Sequence, residues 1–213
     1  MTSKNLICFM SHIDDFEISC LGYLFKHANE YNNLTCIIAT HWEAKNNIWQ
    51  ENLKVLEKAL GRQIDYVNLG FEQRQMHSKL DDIKNMLYSN IDFSKTSRFD
   101  ILTHDDDDCH TDHVAAHLMM KGLYKYTNRF VTVYSPSSLN FKANYWVNLT
   151  EDNYKIKKNL LDKYDINVEQ SYTKLGYYLQ DSSHYNIGNA YYKENFVHQD
   201  ENYHECYRIL KWS

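Results

Sequence analysis

The composition is that of an ordinary globular chain. The sequence has 213 residues, of which 43% are hydrophobic and 24% are charged, a balance that predicts one domain with a core of useful size. The formal net charge of −5 excludes the basic surface of a nucleic-acid-binding protein, so we expect no nucleic-acid partner. The apolar runs are all too short for a membrane span.

The cysteines indicate a reducing compartment. There are five, an odd number without CxxC spacing, and three of them lie in apolar runs like small core residues. The stretch after Met1 is short and polar and does not resemble a signal peptide. These features predict a cytoplasmic protein. The sequence leaves the oligomeric state open, a homo-oligomer included.

Apolar runs alternate with helical spacings over the first 134 residues. Predicted strands cover residues 6–10, 34–40, 64–69, 99–103 and 130–134, and predicted helices cover 15–29, 45–60, 78–89 and 112–126. Gly61 is expected to end one helix and Gly70 to close one strand. This order predicts an α/β fold with a Rossmann-like, doubly wound, mainly parallel sheet in a three-layer sandwich.

The pattern changes after residue 134. Residues 144–148 could form a further strand, 152–164 a charged amphipathic helix, and 203–212 an apolar segment. Because no Pro/Gly/Ser-rich linker separates these elements from the rest, we expect a single domain, 1–213. It would consist of a core, 1–134, and a C-terminal extension, 135–213, packed on that core.

A first polar cluster follows the first predicted strand. His12, Asp14 and Asp15 lie between that strand and a helical pattern, where open α/β sheets place their ligand chemistry. Adjacent carboxylates cannot point the same way, so one could bind a metal while the other does not. The alternative is that Asp14 or Asp15 simply caps the helix.

A second polar cluster follows the fourth predicted strand. His110 and His113 are three residues apart, so on a first helical turn they would face one side, with Asp112 between them. The alternative is a capped helix start with solvated histidines. The two clusters together supply a His/His/carboxylate set, the ligand type of a catalytic zinc with a position open for water. Iron(II) could occupy the same ligands.

Other polar residues are expected to be ordinary. The run Asp105–Asp108 is typical of a solvated loop, although it could also attract a cation. The remaining histidines, His104 and His117 among them, are expected to be neither ligands nor catalytic groups.

The two clusters resemble the motifs of a known family. His12-Ile13-Asp14-Asp15, followed by Cys20-Leu21-Gly22, resembles the HPDD…GCGG signature of the PIG-L/LmbE-like zinc-dependent N-acetylglucosaminyl de-N-acetylases. His110-Thr111-Asp112-His113 resembles their second motif, HPDH. Looser likenesses lie at residues 71–74, at 145–164 with the pair Glu169–Gln170, and at 192–196, so the resemblance extends over most of the chain.

The resemblance implies a role for each matching residue. Zinc would be bound by His12, Asp15 and His113, and Asp14 would be the general base that activates water. His110 would stabilise or protonate the tetrahedral intermediate. Asp112 would orient a neighbouring histidine.

The sequence departs from the family pattern in several places. Ile13 replaces a proline, Phe16 a glutamate, and Ser19 and Leu21 two glycines. We expect Phe16 and Leu21 to alter the wall of the pocket. An arginine usually found early in the second helix has no counterpart, and Trp49 lies near its place. Arg74 is then the expected cation for a phosphate or carboxylate on the substrate.

The function expected from these residues is hydrolysis of an amide. The resemblance implies a metal-dependent hydrolase that removes an acetyl group from an N-acetylated amino sugar, free or nucleotide-linked. The expected partner is therefore this small-molecule sugar. Two alternatives remain: an amidase or deformylase acting on another amide, and a catalytically silent sugar-binding homologue.

Overall fold

A computed structural model describes residues 4–91, 99–167 and 204–212. The strands are β1 (Asn5–Met10), β2 (Asn33–Thr40), β3 (Asp65–Phe71), β4 (Phe99–His104), β5 (Thr127–Val133), β6 (Tyr145–Asn148) and β7 (His204–Trp212). The helices are α1 (Ile13–Ser19), α2 (Leu21–His27), α3 (Glu43–Leu60), α4 (Leu80–Asn90), α5 (Thr111–Lys121) and α6 (Glu151–Asn167). None of these helices combines the length and apolarity that crossing a membrane requires. The pair Glu169–Gln170 and residues 192–196 lie outside the described residues.

All seven strands belong to one sheet. Their order is β3-β2-β1-β4-β5-β7-β6, and the first five are parallel to one another. The order reverses between β1 and β4, because the chain proceeds from β1 towards β3 on one side and from β4 towards β5 on the other. The doubly wound, mainly parallel sheet is therefore confirmed. In such sheets ligands bind outside the carboxyl ends of the strands where the order reverses.

The sheet separates two hydrophobic cores. Successive residues of β1 point to opposite faces, so Leu6 and Cys8 join one core and Ile7 and Phe9 join the other. Helices α1, α2, α3 and α6 cover the first face, and α4 and α5 cover the second. This is the three-layer sandwich expected for an α/β fold.

Several predicted elements differ in detail from the structure. The helix expected at residues 112–126 ends at Lys121, and a separate 3-10 turn covers Tyr124–Tyr126. The helix expected at residues 15–29 is divided at Cys20 into α1 and α2 and followed by a 3-10 turn. Gly70 does not close a strand but lies inside β3 with a φ of 76°, a left-handed conformation that favours glycine. Gly61 ends α3 as expected, with a φ of 66°.

The described part of the C-terminal extension completes the sheet. The apolar segment at residues 203–212 forms β7, which is inserted antiparallel between β5 and β6. Val131 of β5 is opposite Ile209, and Trp146 of β6 is opposite Cys206. Helix α2 packs closely on this strand, because a Cβ on Gly22 would come within 3.0 Å of the Glu205 side chain.

A buried ion pair joins α6 to β7. Lys157 Nζ donates to Glu205 Oε1 at 2.6 Å and to the Ile18 carbonyl at 2.5 Å, and both charged side chains are almost fully buried. Tyr207 Oη donates to the other Glu205 oxygen at 2.5 Å. Each charge is therefore compensated within the core, which is what burial of an ion pair requires.

We predict that Lys157→Met destabilises the fold by about 3–5 kcal/mol, because it leaves Glu205 as an uncompensated buried charge. The free energy of unfolding in urea measures the effect. The matched control is Lys155→Met on the same helix, since Lys155 forms an exposed pair with Glu151. Equal urea midpoints for the two variants would show that the buried pair does not hold α6 in place.

A second buried carboxylate joins three helices. Glu17 of α1 accepts hydrogen bonds from Asn52 Nδ2 of α3 and from Tyr164 Oη of α6, both at 2.6 Å. Burial raises the pKa of Glu17 from 4.5 to about 8, because the charged form loses its hydration there. The carboxyl is therefore protonated in the folded chain at a pH where it is ionised in the unfolded chain.

We predict that Glu17→Gln makes folding less sensitive to pH. Since the folded pKa is raised, the stabilisation that Glu17 provides is complete below pH 4.5 and is lost as the pH rises through about 8. Glutamine has the same shape and does not ionise, so the variant should gain stability relative to the wild type between pH 5 and pH 8. Urea unfolding at several pH values measures this. Glu43→Gln, an exposed position of α3, should show no such trend.

Candidate active site

The two polar clusters meet where the strand order reverses. His12 follows β1 and His104 ends β4, and these neighbouring parallel strands have their carboxyl ends at the same edge of the sheet. Ser11 connects the two segments. Its backbone N–H donates to His104 Nε2 at 3.2 Å, and its hydroxyl donates to the Asp112 carbonyl at 2.8 Å.

The Asp15 carboxylate lies at the centre of the cluster. Its Oδ2 atom is 2.9 Å from His12 Nδ1, 3.2 Å from His113 Nε2 and 3.3 Å from His104 Nε2. Burial alone would raise the pKa of Asp15, but the charges of His113 and His12 lower it well below its usual value, and the contact with the His104 ring acts in the same direction. The same oxygen accepts the His12 backbone N–H at 2.9 Å, so Asp15 also caps α1.

The two histidines nearest to Asp15 favour positive charge. Burial lowers the pKa of each ring, but Asp15 and the neighbouring carboxylates outweigh this effect. The pKa is raised to about 9 for His12 and to about 10 for His113. The other ring nitrogen of each of these two histidines contacts a second carboxylate. His12 Nε2 is 3.3 Å from Asp112 Oδ2, and His113 Nδ1 is 2.9 Å from Asp108 Oδ2.

This arrangement fits a divalent cation. His12 Nδ1, Asp15 Oδ2 and His113 Nε2 lie 2.9–3.4 Å from one another. Tetrahedral zinc with bonds of about 2.0–2.2 Å would hold such atoms about 3.3–3.6 Å apart, so small shifts suffice. A cation bound there would replace the protons that the neighbouring carboxylates favour on His12 and His113.

Two other groups of side chains in the described part of the chain are compact enough to hold an ion. They are His12 with His110 and Asp112, and His104 with Asp108 and His113. We favour His12, Asp15 and His113, because in that set each histidine keeps its second nitrogen for a carboxylate. Such outer carboxylates are typical of histidines that bind metals.

Asp14 has a different partner from its neighbour Asp15. Its Oδ2 atom accepts a hydrogen bond from Lys45 Nζ at 2.6 Å, and both side chains are buried. Lys45 comes from the first turn of α3, which follows β2. The two adjacent carboxylates therefore have different partners: Asp14 contacts Lys45, and Asp15 contacts the histidines.

His110 is held in one tautomer by the backbone. It precedes α5, and its Nδ1 atom accepts the Asp112 N–H at 3.2 Å, so the proton of the neutral ring lies on Nε2. Burial and the charges of His113 and His12 lower its pKa. His110 is therefore neutral near pH 7 and can donate a hydrogen bond from Nε2–H.

The Asp112 carboxylate does not line the pocket described next but contacts the far side of the His12 ring. It accepts backbone N–H groups from Arg74 at 2.6 Å and Met76 at 3.2 Å, and it contacts His12 Nε2. Arg74 has a left-handed backbone with a φ of 64°. Its side chain is exposed and does not line the pocket described next, so its expected role in substrate binding stays a prediction.

A pocket of about 300 Å³ opens beside these groups. Five of the predicted site residues line it: His12, Asp14, Asp15, His110 and His113. The other lining residues are Ile18, Trp42, Lys45, Gln73, Pro136 and Ser137. Its size is at the lower end of ligand pockets and suits a group as large as one sugar ring.

The expectation that Phe16 and Leu21 alter the wall of the pocket is wrong. Phe16 and Leu21 are fully buried in the core and do not line the pocket. Trp49 is also buried, with its ring 5.1 Å from that of Phe16, whereas Lys45, one turn earlier, reaches the pocket.

The acidic run is not a solvated loop throughout. Asp105 and Asp108 are buried, whereas Asp106 is exposed. Burial would raise the pKa of Asp108, but the hydrogen bond and charge of His113 lower it well below its usual value. Ser135 also donates to this carboxylate. Asp108 is therefore part of the site, and no local pattern in the sequence distinguishes it from the other aspartates of the run.

His104 was also missed. Its ring is fully buried and lies parallel to that of His113, with centroids 3.7 Å apart and an interplanar angle of 11°. Burial and the charge of His113 lower its pKa to about 4, so the ring is neutral. Its place directly at the end of a strand, like that of His12 after β1, was the available signal.

We predict that Asp108→Asn weakens zinc binding about 10- to 100-fold, because the Asp108 carboxylate orients His113 and raises the basicity of that ring. Competition with a chromophoric chelator measures the affinity. Asp106→Asn is the matched control, since this neighbouring carboxylate of the same loop is exposed and does not contact His113. Equal affinities in the two variants would argue against His113 as a ligand.

Comparison with known families links both clusters to one family. The profile of the PIG-L family, described as GlcNAc-PI de-N-acetylase, matches residues 7–123, which include both clusters. No curated protein sequence matches the chain at a significant level.

Solved structures share the fold at low sequence identity. N,N'-diacetylchitobiose deacetylase from Pyrococcus horikoshii, in complex with its inhibitor MPG, has a TM-score of 0.56 and 14% identity, covering 98% of this chain and 84% of that one. A zinc-inhibited form of teicoplanin deacetylase has a TM-score of 0.62 and 11% identity, covering 96% and 97%. The 4-carboxy-2-hydroxymuconate hydratase from Pseudomonas putida KT2440 has a TM-score of 0.60 and 13% identity, covering 97% and 96%. Since one of the three is a hydratase, this fold supports more than one reaction.

Proposed function

This chain belongs to the PIG-L (GlcNAc-PI de-N-acetylase) family, and we propose that it is a metal-dependent hydrolase that removes the acetyl group from an N-acetylated amino sugar. The observation that most supports the proposal is the compact His12, Asp15 and His113 group beside a second carboxylate, Asp14, in one pocket. The family's deacetylase description and the sugar deacetylases that share the fold agree with it.

We propose His12, Asp15 and His113 as the metal ligands. A divalent cation at this place would act as a Lewis acid that polarises the amide carbonyl and makes water more acidic. Zinc is our first choice because nitrogen and carboxylate ligands suit it, and iron(II) takes the same ligands. The zinc-inhibited form of teicoplanin deacetylase is a reason to compare the two metals directly.

Asp14 is the proposed general base. Its carboxylate lines the pocket next to the ligand Asp15 but is turned towards Lys45 instead of the histidines. The ammonium group of Lys45 fixes the orientation of one carboxylate oxygen. Asp14 would accept a proton from the attacking water, as a carboxylate within hydrogen-bond reach can do.

His110 is the proposed proton donor. Its Nε2–H is available for the substrate because Nδ1 is occupied by the Asp112 backbone N–H. It would stabilise the tetrahedral intermediate through a hydrogen bond from Nε2–H. Protonation of the departing amine by His110 would require the imidazolium form of the ring, in which Nδ1 no longer accepts the Asp112 N–H. Asp112, behind His12, would act as a positioning residue for that ring.

The proposed substrate is an N-acetylated amino sugar, free or nucleotide-linked. Arg74 is exposed near the site and is our proposed contact for a phosphate or carboxylate beyond the sugar ring. An amidase or deformylase acting on another amide, and a silent sugar-binding homologue, are the alternatives that the experiment must separate.

We predict acetate release from at least one N-acetylated amino sugar when the protein is loaded with zinc or iron(II). A panel of N-acetylhexosamines, nucleotide-linked N-acetylhexosamines, formamides and acyclic acetamides should be assayed for acetate and formate. Formate as the main product would favour a deformylase. No hydrolysis of any amide at full metal loading would contradict the enzyme proposal.

We predict that Asp14→Asn retains the metal but lowers kcat at least about 100-fold, because it removes the base and leaves the ligands. Metal content and turnover are measured on the same sample. His12→Ala is the contrasting variant and should lose the metal. Loss of metal from Asp14→Asn, or full activity in it, would count against Asp14 as the base.

A further inference from the structure

One wall of the pocket contains an aromatic residue in an unexpected place. Trp42 is the residue before α3, with an extended backbone (φ −142°, ψ 110°), and its side chain makes no capping hydrogen bond. Serine, threonine, aspartate or asparagine are preferred there because they bond to the first N–H groups of the helix. The side chain is also 38% exposed, so it does not contribute fully to the core.

Trp42 therefore neither caps the helix nor is fully buried in the core. Single exposed aromatic residues are common, and exposure alone indicates nothing. Here, however, the indole lines the pocket that contains the proposed base and metal ligands. Residues that break local rules occur preferentially at functional sites.

The indole is also held in place. Lys45 Nζ lies 4.6 Å from the centre of its ring, a distance typical of a cation–π contact. The same ammonium group forms the 2.6 Å ion pair with Asp14. Trp42 is thus connected to the proposed base through one buried lysine, which holds the indole in a defined place relative to Asp14.

The rest of the lining suits a sugar ring. Ile18 and Pro136 are apolar, whereas Gln73 and Ser137 offer hydrogen-bonding groups. A pyranose ring has C–H groups on its faces and hydroxyl groups around its edge. A flat indole face matches the former, since its π-system attracts weakly positive C–H groups, and amide and hydroxyl groups match the latter.

We propose that Trp42 is a specificity-determining residue on which the pyranose ring of the substrate stacks. Lys45 is then the residue that positions the Trp42 indole. The inference rests on the proposed function, because it names the part of the substrate that this site selects. It predicts a preference for a cyclic N-acetylated sugar over an acyclic acetamide with the same reacting group.

The test compares Trp42→Ala and Trp42→Phe with the wild type. N-acetylglucosamine is the cyclic probe and N-acetylethanolamine the acyclic one, and saturation-transfer NMR measures their binding and reports any acetate formed. We expect Trp42→Ala to weaken N-acetylglucosamine binding about tenfold, as loss of one stacked aromatic contact implies. Trp42→Phe should keep most of the wild-type affinity for N-acetylglucosamine. N-acetylethanolamine should bind equally to all three proteins.

The matched control is Tyr126→Ala. Tyr126 is 39% exposed and has Lys125 Nζ 4.8 Å from its ring centre, but it does not line the pocket. This substitution should leave the binding of both probes unchanged.

The saturation pattern gives a second readout. In the wild type the ring protons of one sugar face should receive most of the saturation, and this pattern should be lost in Trp42→Ala.

Each other outcome overturns the inference without being confused with failure of the proposed function. If Trp42→Ala binds the sugar as tightly as the wild type, or weakens both probes equally, Trp42 does not select a ring. If the wild type binds no sugar, the stacking proposal is wrong. Acetate release from the amide panel then decides separately whether the protein is a deacetylase.

Discussion

The arrangement of the site depends on one buried carboxylate. Asp15 has lost most of its hydration, and such a charge is tolerated in a protein interior only where opposite charge and hydrogen bonds replace the water. The charges of His12 and His113 provide this compensation, and the neutral His104 ring lies 3.3 Å from the same carboxylate oxygen. These three histidines come from three different segments: the turn after β1, the end of β4 and the first turn of α5. They can converge because β1 and β4 are adjacent and parallel.

A second layer of carboxylates determines how those histidines are oriented. Asp112 and Asp108 contact the ring nitrogens of His12 and His113 that point away from Asp15. The remaining nitrogens then face one another across Asp15, in the arrangement that a small cation requires. This layer depends in turn on backbone groups far along the chain, such as the N–H of Arg74.

The sequence was sufficient to predict the parallel core and the two clusters. Alternating apolar runs and helical spacings are local patterns, and the rule that the carboxyl ends of parallel strands share one edge connects distant motifs without further information. Burial of Asp105 and Asp108 could not be predicted in this way, because a run of four aspartates is polar by every local criterion. Their burial results from partners such as Thr132, Arg208 and His113, which are brought close only by the fold.

Lys45 and Trp42 were missed for a related reason. The departure from the family pattern directed attention to Trp49, which has the helical spacing of a core residue and is one. Which turn of α3 reaches the pocket depends on where the helix lies across the sheet, and spacing within one helix does not contain that information. Arg74 illustrates the reverse case, since its backbone is part of the site and its side chain is exposed.

The insertion of β7 between β5 and β6 has a consequence for synthesis of the chain on the ribosome. Residues 127–133 emerge early, but their partner on one side, residues 204–212, emerges much later, so β5 is an open sheet edge in the nascent chain. Strand β6 also has to wait for β7 before it joins the sheet. Pairings between distant segments form slowly, and the parallel core should therefore pass through a period in which its exposed edge is prone to aggregation and is a target for chaperones.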